Sequence, residues 1–324
     1  SIKTTQEVVL MQPMLYSTTR MDFEISNRHK ENVRPIVSIG MPVFNNKNTI
    51  SQAIETILNQ SFKDFELIIS DNASTDGTED ICRGYAQKDS RIIYIRQQEN
   101  TGSYNFVFVY ERAARGEFFM WAPAHYSRSV DFIEKSLEVL KENPNCTFSS
   151  TPNCWIGDES DSDKFYRFSF EGSVYERISK YLSLYMQSHA CFYGLFRRSE
   201  MKGVEKLSKY YAAFDNAFIL QQLLNGEFIR SDKGLLVVGK GQSADYDYIT
   251  TFQTRPIHYI FPIYDFSRCV LAMIMKSNDI SLKEKSVIFL KILISNIKVY
   301  KMIIRYWLLK IIKKIGTYGL IRKN

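Results

Sequence analysis

Residues 36–143 alternate short apolar, β-branched runs with helical stretches of about ten residues, and this alternation confines the chain to an α/β fold. Ile36–Phe44 (IVSIGMPVF), rich in β-branched residues, Glu66–Ser70 (ELIIS), Arg91–Arg96 (RIIYIR) and Glu117–Trp121 (EFFMW) are short apolar runs and predicted strands. Thr49–Asn59, Glu79–Gln87, Tyr104–Ala114 and Asp131–Asn143 are predicted helices. In the first of them the apolar residues 50, 53, 54, 57 and 58 share one face. Strands joined by such helices pair in parallel, and ligands of such sheets sit beyond the carboxyl ends of the strands. The loops after Phe44, Ser70 and Trp121 are therefore the places to look for chemistry.

The first turn, VFNNKNT, holds no glycine. A dinucleotide fold needs a Gly-rich phosphate loop there, so a nicotinamide or flavin enzyme is disfavoured. Asp71 ends the second strand, where a carboxylate can accept a hydrogen bond from a base N–H or a ribose hydroxyl. Asp76 and Thr78 stand where the next helix is capped.

The ordered set PVFN, NQSF and SDNASTDGT resembles the inverting family-two glycosyltransferases of the GT-A fold, closely over residues 35–145 and loosely beyond. The resemblance implies a Rossmann-like, mainly parallel sheet flanked by helices and a nucleotide-sugar donor, with a UDP-sugar expected. It places Pro42, Phe44 and Asp71 at the donor nucleotide, with Asn100 and Gly102 of the segment NTGSYN lining the same pocket. It also implies a glycan or lipid-linked acceptor whose hydroxyl is the nucleophile.

The family also uses a divalent cation, Mg or Mn, held by an Asp-x-Asp pair after a strand like EFFMW. There the cation would neutralise the departing diphosphate. This chain reads Trp121-Ala-Pro-Ala-His-Tyr-Ser-Arg-Ser129, with no carboxylate between Glu117 and Asp131. No metal ligand can be assigned. Ala124, His125, Tyr126 and Arg128 occupy the diphosphate region instead. Either His125 and Arg128 stabilise the diphosphate directly, or the chain is a catalytically degenerate nucleotide-binding or scaffold protein. Asp161–Asp163 and Asp245–Asp247 are expected to be solvated turns.

Phe214–Phe228 has apolar residues at 218, 219, 220, 223 and 224 and opens on Asp215. An acid there suits the helix dipole. In the family such an acid is the general base that takes the acceptor hydroxyl's proton during inversion, so Asp215 is the expected catalytic residue. Ala190–Met201 (ACFYGLFRRSEM) resembles the family's acceptor-side segment, and His189 beside it is an expected acceptor contact. Helices are predicted at 176–186 and 214–225, and a strand at Gly234–Lys240.

Residues 276–324 carry twelve Lys or Arg and two acids, a charge of +10; with +7 on the whole chain, −3 is left for the rest. The basic character belongs to one segment and asks for a local anionic partner. Residues 287–316 mix this charge with Ile, Leu and aromatic residues and hold no apolar run long enough to span a bilayer. They are expected to lie on an anionic membrane surface. No signature of nucleic-acid binding is present, and homo-oligomerisation is left open. The five cysteines show no CxxC spacing, and residues 1–35 show no apolar leader; a peripheral protein on the cytoplasmic face is expected. The boundaries drawn are an arm at 1–34, a nucleotide-sugar-binding half at 35–145, an acceptor-side half at 146–256 and the amphipathic helical region at 257–324.

Overall fold

A computed structural model describes residues 34–205, 214–239 and 263–321. The arm and the acidic string at 245–247 lie outside these residues. A seven-stranded sheet runs in the order β3-β2-β1-β4-β8-β6-β9. Its strands are β1 (Val37–Val43), β2 (Phe65–Asp71), β3 (Ile92–Arg96), β4 (Phe118–Trp121), β6 (Cys146–Ser150), β8 (Leu195–Arg197) and β9 (Glu227–Arg230). The first four are parallel, as their helical crossovers require. β8 is antiparallel to both β4 and β6, and β9 is parallel to β6. The sheet is thus mixed, with one reversed strand at its centre. That strand is the YGLFR segment, for which the sequence predicts no strand. It is short and its apolar residues do not alternate.

Two buried layers cover the sheet. Val37, Ile39, Met41 and Val43 of β1 point to one face, against Ile50, Ile54 and Ile57 of α1 (Ile50–Leu58) and Leu137 of α4 (Phe132–Glu142). Phe119 and Trp121 of β4 point to the other face, as a pleat of period two demands. There they meet α5 (Val174–Ser183) and α6 (Phe214–Asn225), with α7 (Tyr264–Lys276) and α8 (Leu282–Ile321) outside them. α2 (Thr78–Lys88) and α3 (Tyr104–Phe108) complete the crossovers. Much of the chain's aromatic content is spent here on packing. Trp121 stacks on Phe192 at 4.6 Å and Phe148 on Phe196 at 4.8 Å.

Reciprocal caps start α5 and α8. Ser173 N donates to Glu176 Oε2 at 2.8 Å, and Ser281 N to Glu284 Oε2 at 2.8 Å, while each serine hydroxyl accepts from the glutamate's N–H. A second sheet of three short strands, β5 (Ser127–Arg128), β10 (Leu236–Val238) and β7 (Asn153–Trp155), lies in the order β5-β10-β7.

The helix expected to continue to Ala114 changes at Val109 into a π turn, Val109–Ala113. The extra residue in such a turn shifts the residues that follow around the helix axis. Val109 seats directly on β1: a Cβ added at Gly40 would lie 2.7 Å from Val109 Cγ2 and 2.9 Å from Phe119 Cζ. Gly40→Ala is expected to lower stability by about 1–3 kcal/mol through overpacking. Urea unfolding of the two proteins measures this, and an unchanged midpoint would show that the contact yields freely.

Candidate functional site

The topology brings every predicted site residue within the described residues to one edge. β1, β2, β4 and β6 all end there. The antiparallel β8 begins there, so the short 3₁₀ turn before it, His189–Tyr193, lies at the same edge. α6 leads back into β9, which runs parallel to β6, so its first turn and Asp215 are there too.

The donor side is a pair of loops bound to each other. Asn45 N donates to Ser74 Oγ at 2.9 Å, Thr75 N to Asn45 Oδ1 at 2.8 Å, Asn46 N to Thr78 Oγ1 at 2.8 Å and Lys47 N to Asp76 Oδ2 at 3.0 Å. Asp76 also accepts from Thr78 N at 3.0 Å, so it caps α2 while holding the first loop. Burial opposes its charge, but these hydrogen bonds win and its pKa is lowered. Asn45 and Ala73 both have positive φ, 52° and 61°, and no other non-glycine among the described residues does. For Ala73 that conformation costs about 1–2 kcal/mol. The strain is concentrated at the loops where the ligand is expected.

Asp71 has no exposed surface. Oδ1 accepts from Ser74 N at 2.8 Å, and Oδ2 from the Tyr94 hydroxyl at 2.8 Å and Arg96 Nη1 at 3.1 Å. The carboxylate is wholly buried, and the half-exposed Arg96 guanidinium that pairs with it is also paired with Glu79 at 3.0 Å. The sequence offers no signal for Tyr94 and Arg96, which sit on a strand like any other. Phe44, 45% exposed, presents its ring at the end of β1, and Pro42 is half-buried behind it. Asn72 joins the third loop: its Nδ2 donates to Asn100 Oδ1 at 2.7 Å and to Gly102 O at 3.2 Å, and its Oδ1 accepts from Thr101 N at 2.9 Å. Gly102, at φ 60°, takes the left-handed conformation that this tight turn needs.

The loop after β4 carries the diphosphate-region residues. Ala124 and Tyr126 are buried. The Tyr126 ring lies 4.9 Å from that of Tyr193, edge-on, and 4.9 Å from that of His125. Arg128 is 5% exposed: Nη2 donates to Trp121 O at 3.2 Å and the guanidinium lies over Phe132. Its Nε and Nη1 have no hydrogen-bond partner among the described residues. Burial draws its pKa down to about 10, which leaves it charged at neutral pH. Arg128 therefore lies beneath the loop and does not present its fork to a ligand by contact. Asp215 is half-buried and holds Asn216 Nδ2 at 3.1 Å, while Asn216 Oδ1 accepts from the Tyr181 hydroxyl at 2.6 Å. Burial raises the Asp215 pKa against these hydrogen bonds. Its charge is felt at Tyr126, whose pKa is raised first by burial and then by Asp215. Asp215 thus shares an edge of the sheet with the loop after β4.

Carboxylates do not converge on the loop after β4, and among the described residues no group of three or more His, Cys, Asp or Glu side chains is placed to hold a metal. The residues present do not fit the divalent cation that the resemblance implies. Asp161 and Asp163 lie in an exposed 3₁₀ turn, Ser162–Lys164, where Lys164 pairs with Asp158 at 2.7 Å.

Residues 38–201 match the Glycosyl transferase family 2 profile, and the chain belongs to that family. It is similar to the putative teichuronic acid biosynthesis glycosyltransferase TuaG of Bacillus subtilis, 33% identical over 37% of this chain and 47% of that one. It is also similar to the GalNAc(5)-diNAcBac-PP-undecaprenol beta-1,3-glucosyltransferase of Campylobacter jejuni, 27% identical over 55% of this chain and 56% of that one. The chain spans about half the length of these curated relatives. Residues 1–349 of S. aureus TarS share the fold with a TM-score of 0.61 at 16% identity, covering 81% of this chain and 72% of that one. The same protein in complex with UDP-GlcNAc superposes with a TM-score of 0.59. The fold is the GT-A arrangement.

Burial draws the pKa of both His125 and His189 down to about 4, with Arg230 adding to the effect at His189. In the unfolded chain each imidazole protonates near pH 6.5. Between these values the unfolded state holds more protons, so the stability they supply is complete above about pH 6.5 and lost as pH falls toward about 4. The melting temperature is expected to drop between about pH 7 and pH 4.5 more steeply than that of the double variant His125→Gln, His189→Gln. Parallel curves would contradict the burial of neutral imidazoles.

Proposed function

We propose that this chain transfers a sugar from a nucleotide-sugar donor to an acceptor hydroxyl with inversion at the anomeric carbon. The observation that carries the reading is the shared edge: the interlocked loops after β1 and β2, the loop after β4 and Asp215, an acid of raised pKa, all stand at the carboxyl ends of the parallel strands. Phe44 offers a face for the base. Pro42, Asn100 and Gly102 line the pocket, and Asp71 positions it through Arg96. The UDP-GlcNAc complex of TarS favours a UDP-sugar, and the name of the Campylobacter relative favours a lipid-linked acceptor.

Asp215 takes the proton of the acceptor hydroxyl as its oxygen bonds to the anomeric carbon. The bond from that carbon to the diphosphate oxygen breaks on the opposite side, and the nucleoside diphosphate leaves with the electron pair. A carboxyl pKa raised by burial suits this base. Arg128 supplies positive potential from beneath the loop, across a low-dielectric layer in which charge acts over distance. Ala124, His125 and Tyr126 shape that layer. His189 faces the acceptor side. No step is assigned to a metal. The missing carboxylate pair also supports a second reading, a nucleotide-binding scaffold without turnover.

The outer side of α8 exposes Phe289, Leu290, Leu293, Ile294, Ile297, Ile304 and Leu308, while Ile288, Ile292, Val299 and Ile303 are buried against the protein. No helix among the described residues is long and apolar enough to cross a membrane. We infer that α8 lies on an anionic membrane surface, within the span 287–316. Lys291 is drawn inward, donating to Ser183 Oγ at 2.7 Å, whereas Lys298, Lys301 and Arg305 are exposed and free to meet lipid. All five cysteines are free, which suits the cytoplasmic face.

Asp215→Asn is expected to lower kcat by about 10²–10⁴-fold while donor affinity holds. Product formation from UDP-sugars, with and without EDTA, and donor-induced thermal shift measure the two quantities. Retained donor binding with no turnover in the unmutated chain would sink the enzyme reading in favour of the scaffold. Reversing Lys298, Lys301 and Arg305 to Glu is expected to weaken binding to vesicles containing phosphatidylglycerol more than about tenfold, at about 1 kcal/mol per basic residue. Co-flotation reads this, and binding that survives the reversal would remove the electrostatic contact.

A further inference from the structure

Trp155 is 41% exposed, and the next residue, Ile156, is 52% exposed. Trp121, by contrast, is wholly buried. Trp155 ends β7, which continues the chain past the carboxyl end of β6 and beyond the main sheet. Ile156 N donates to Val238 O at 3.0 Å, which ties this residue pair to β10. Gly239 follows β10, and a Cβ added there would fall 1.7 Å from His125 O, so the backbone at 239 lies directly on the diphosphate-region loop. β5, β10 and β7 thus form a bridge that starts at Arg128 and holds Trp155 at its far side.

The His189 ring lies 5.3 Å from the Trp155 ring, tilted by 30°. Beside this contact the indole keeps two-fifths of its surface exposed. His189 opens the turn that also carries Tyr193, the residue packed on Tyr126. The Trp155 and His189 rings therefore stand at the edge of the sheet that also carries the loop after β4 and Asp215.

We propose that Trp155, Ile156 and His189 form a subsite for a pyranose ring of the acceptor, one face of the sugar lying on the indole and a hydroxyl bonded to the imidazole. The chemistry matches part by part. The apolar C–H face of a pyranose covers an aromatic plane as other flat, apolar surfaces do. A neutral imidazole offers one donor and one acceptor, the two things a hydroxyl needs. Burial keeps this imidazole neutral. A subsite of this kind gives the acceptor a fixed orientation toward the base, which is where proximity contributes to rate. The inference rests on the glycosyltransferase reading but adds the acceptor's chemical class and its place.

The test uses the full chain with ¹⁵N-labelled tryptophan, whose three residues give three indole signals, with Trp155→Phe assigning one of them. The probes are methyl glycosides of glucose, galactose, mannose and N-acetylglucosamine, with sorbitol as an acyclic control. At least one glycoside is expected to shift the Trp155 signal saturably, with Trp121 unmoved and sorbitol without effect. Trp155→Ala should weaken that glycoside more than about tenfold by removing the stacking face. His189→Gln, which spares the indole, should weaken it about fivefold by removing one hydrogen bond. A Trp155 signal that no glycoside moves overturns the subsite. So does a shift produced equally by UDP-GlcNAc and competed by UDP alone, which would place the donor there. Thermal shift with UDP-GlcNAc on the unmutated chain is read in parallel. If the donor binds and the glycosides do not, the subsite fails and the donor pocket stands. If neither binds, both fail.

Discussion

The site depends on how Trp121 closes the seam between the two halves of the sheet. β4 and β8 meet over only two registered pairs, Phe118 with Arg197 and Phe119 with Phe196. Backbone hydrogen bonds over so short a ladder hold little by themselves. Side chains complete the joint. Trp121 stacks on Phe192 just before β8, meets Phe196 edge-on, and meets Phe218 of α6 edge-on at 5.5 Å. Phe218 lies on the helix that begins with Asp215. One buried indole therefore fixes the end of β4, the turn that leads from His189 into β8, and the helix of the expected base. Its carbonyl receives Arg128, so the same residue also anchors the loop of the diphosphate region.

Around that joint, polar groups are buried in proportion to the partners they have. Asp71 gives both oxygens to internal donors, and Asn72 spends its amide on the third loop. Arg128 is the exception: a buried cation with two nitrogens unpartnered among the described residues. Such a group is costly unless something in its surroundings profits from the charge. Under the proposed function, a diphosphate leaving from the loop above it would supply that reason. The neutral imidazoles at His125 and His189 fit the same low-dielectric setting, in which a single fixed charge has wide reach.

Much of this was legible in the sequence. The four parallel strands and their helices follow from apolar runs and periodicity, because burial on both faces leaves a signature in consecutive residues. Family membership followed from PVFN and SDNASTDGT, and the family match covers the same stretch. β8 was not legible, since three residues inserted antiparallel carry no pattern of their own. The π turn at Val109 was not legible either; Val109 packs against Gly40 on another strand, a contact no local pattern records. Asp71 could be placed at the end of β2 from sequence, but that it would be buried and paired with Arg96 depended on a strand neighbour. Trp155 was invisible as a site: nothing local distinguishes an exposed tryptophan from a core one.

The sequence by itself determined the α/β class, the donor-side loops, the absence of carboxylates after β4 and the confinement of basic charge to the C-terminal helix. These are properties of neighbours along the chain. Tertiary structure alone decided that Asp215 and Tyr126 share one edge of the sheet, that Arg128 lies under its loop, that Lys291 turns inward and that Trp155 meets His189. Each depends on contacts between separate elements. Such contacts arise from the register of the strands and the packing across the sheet, which no local pattern records.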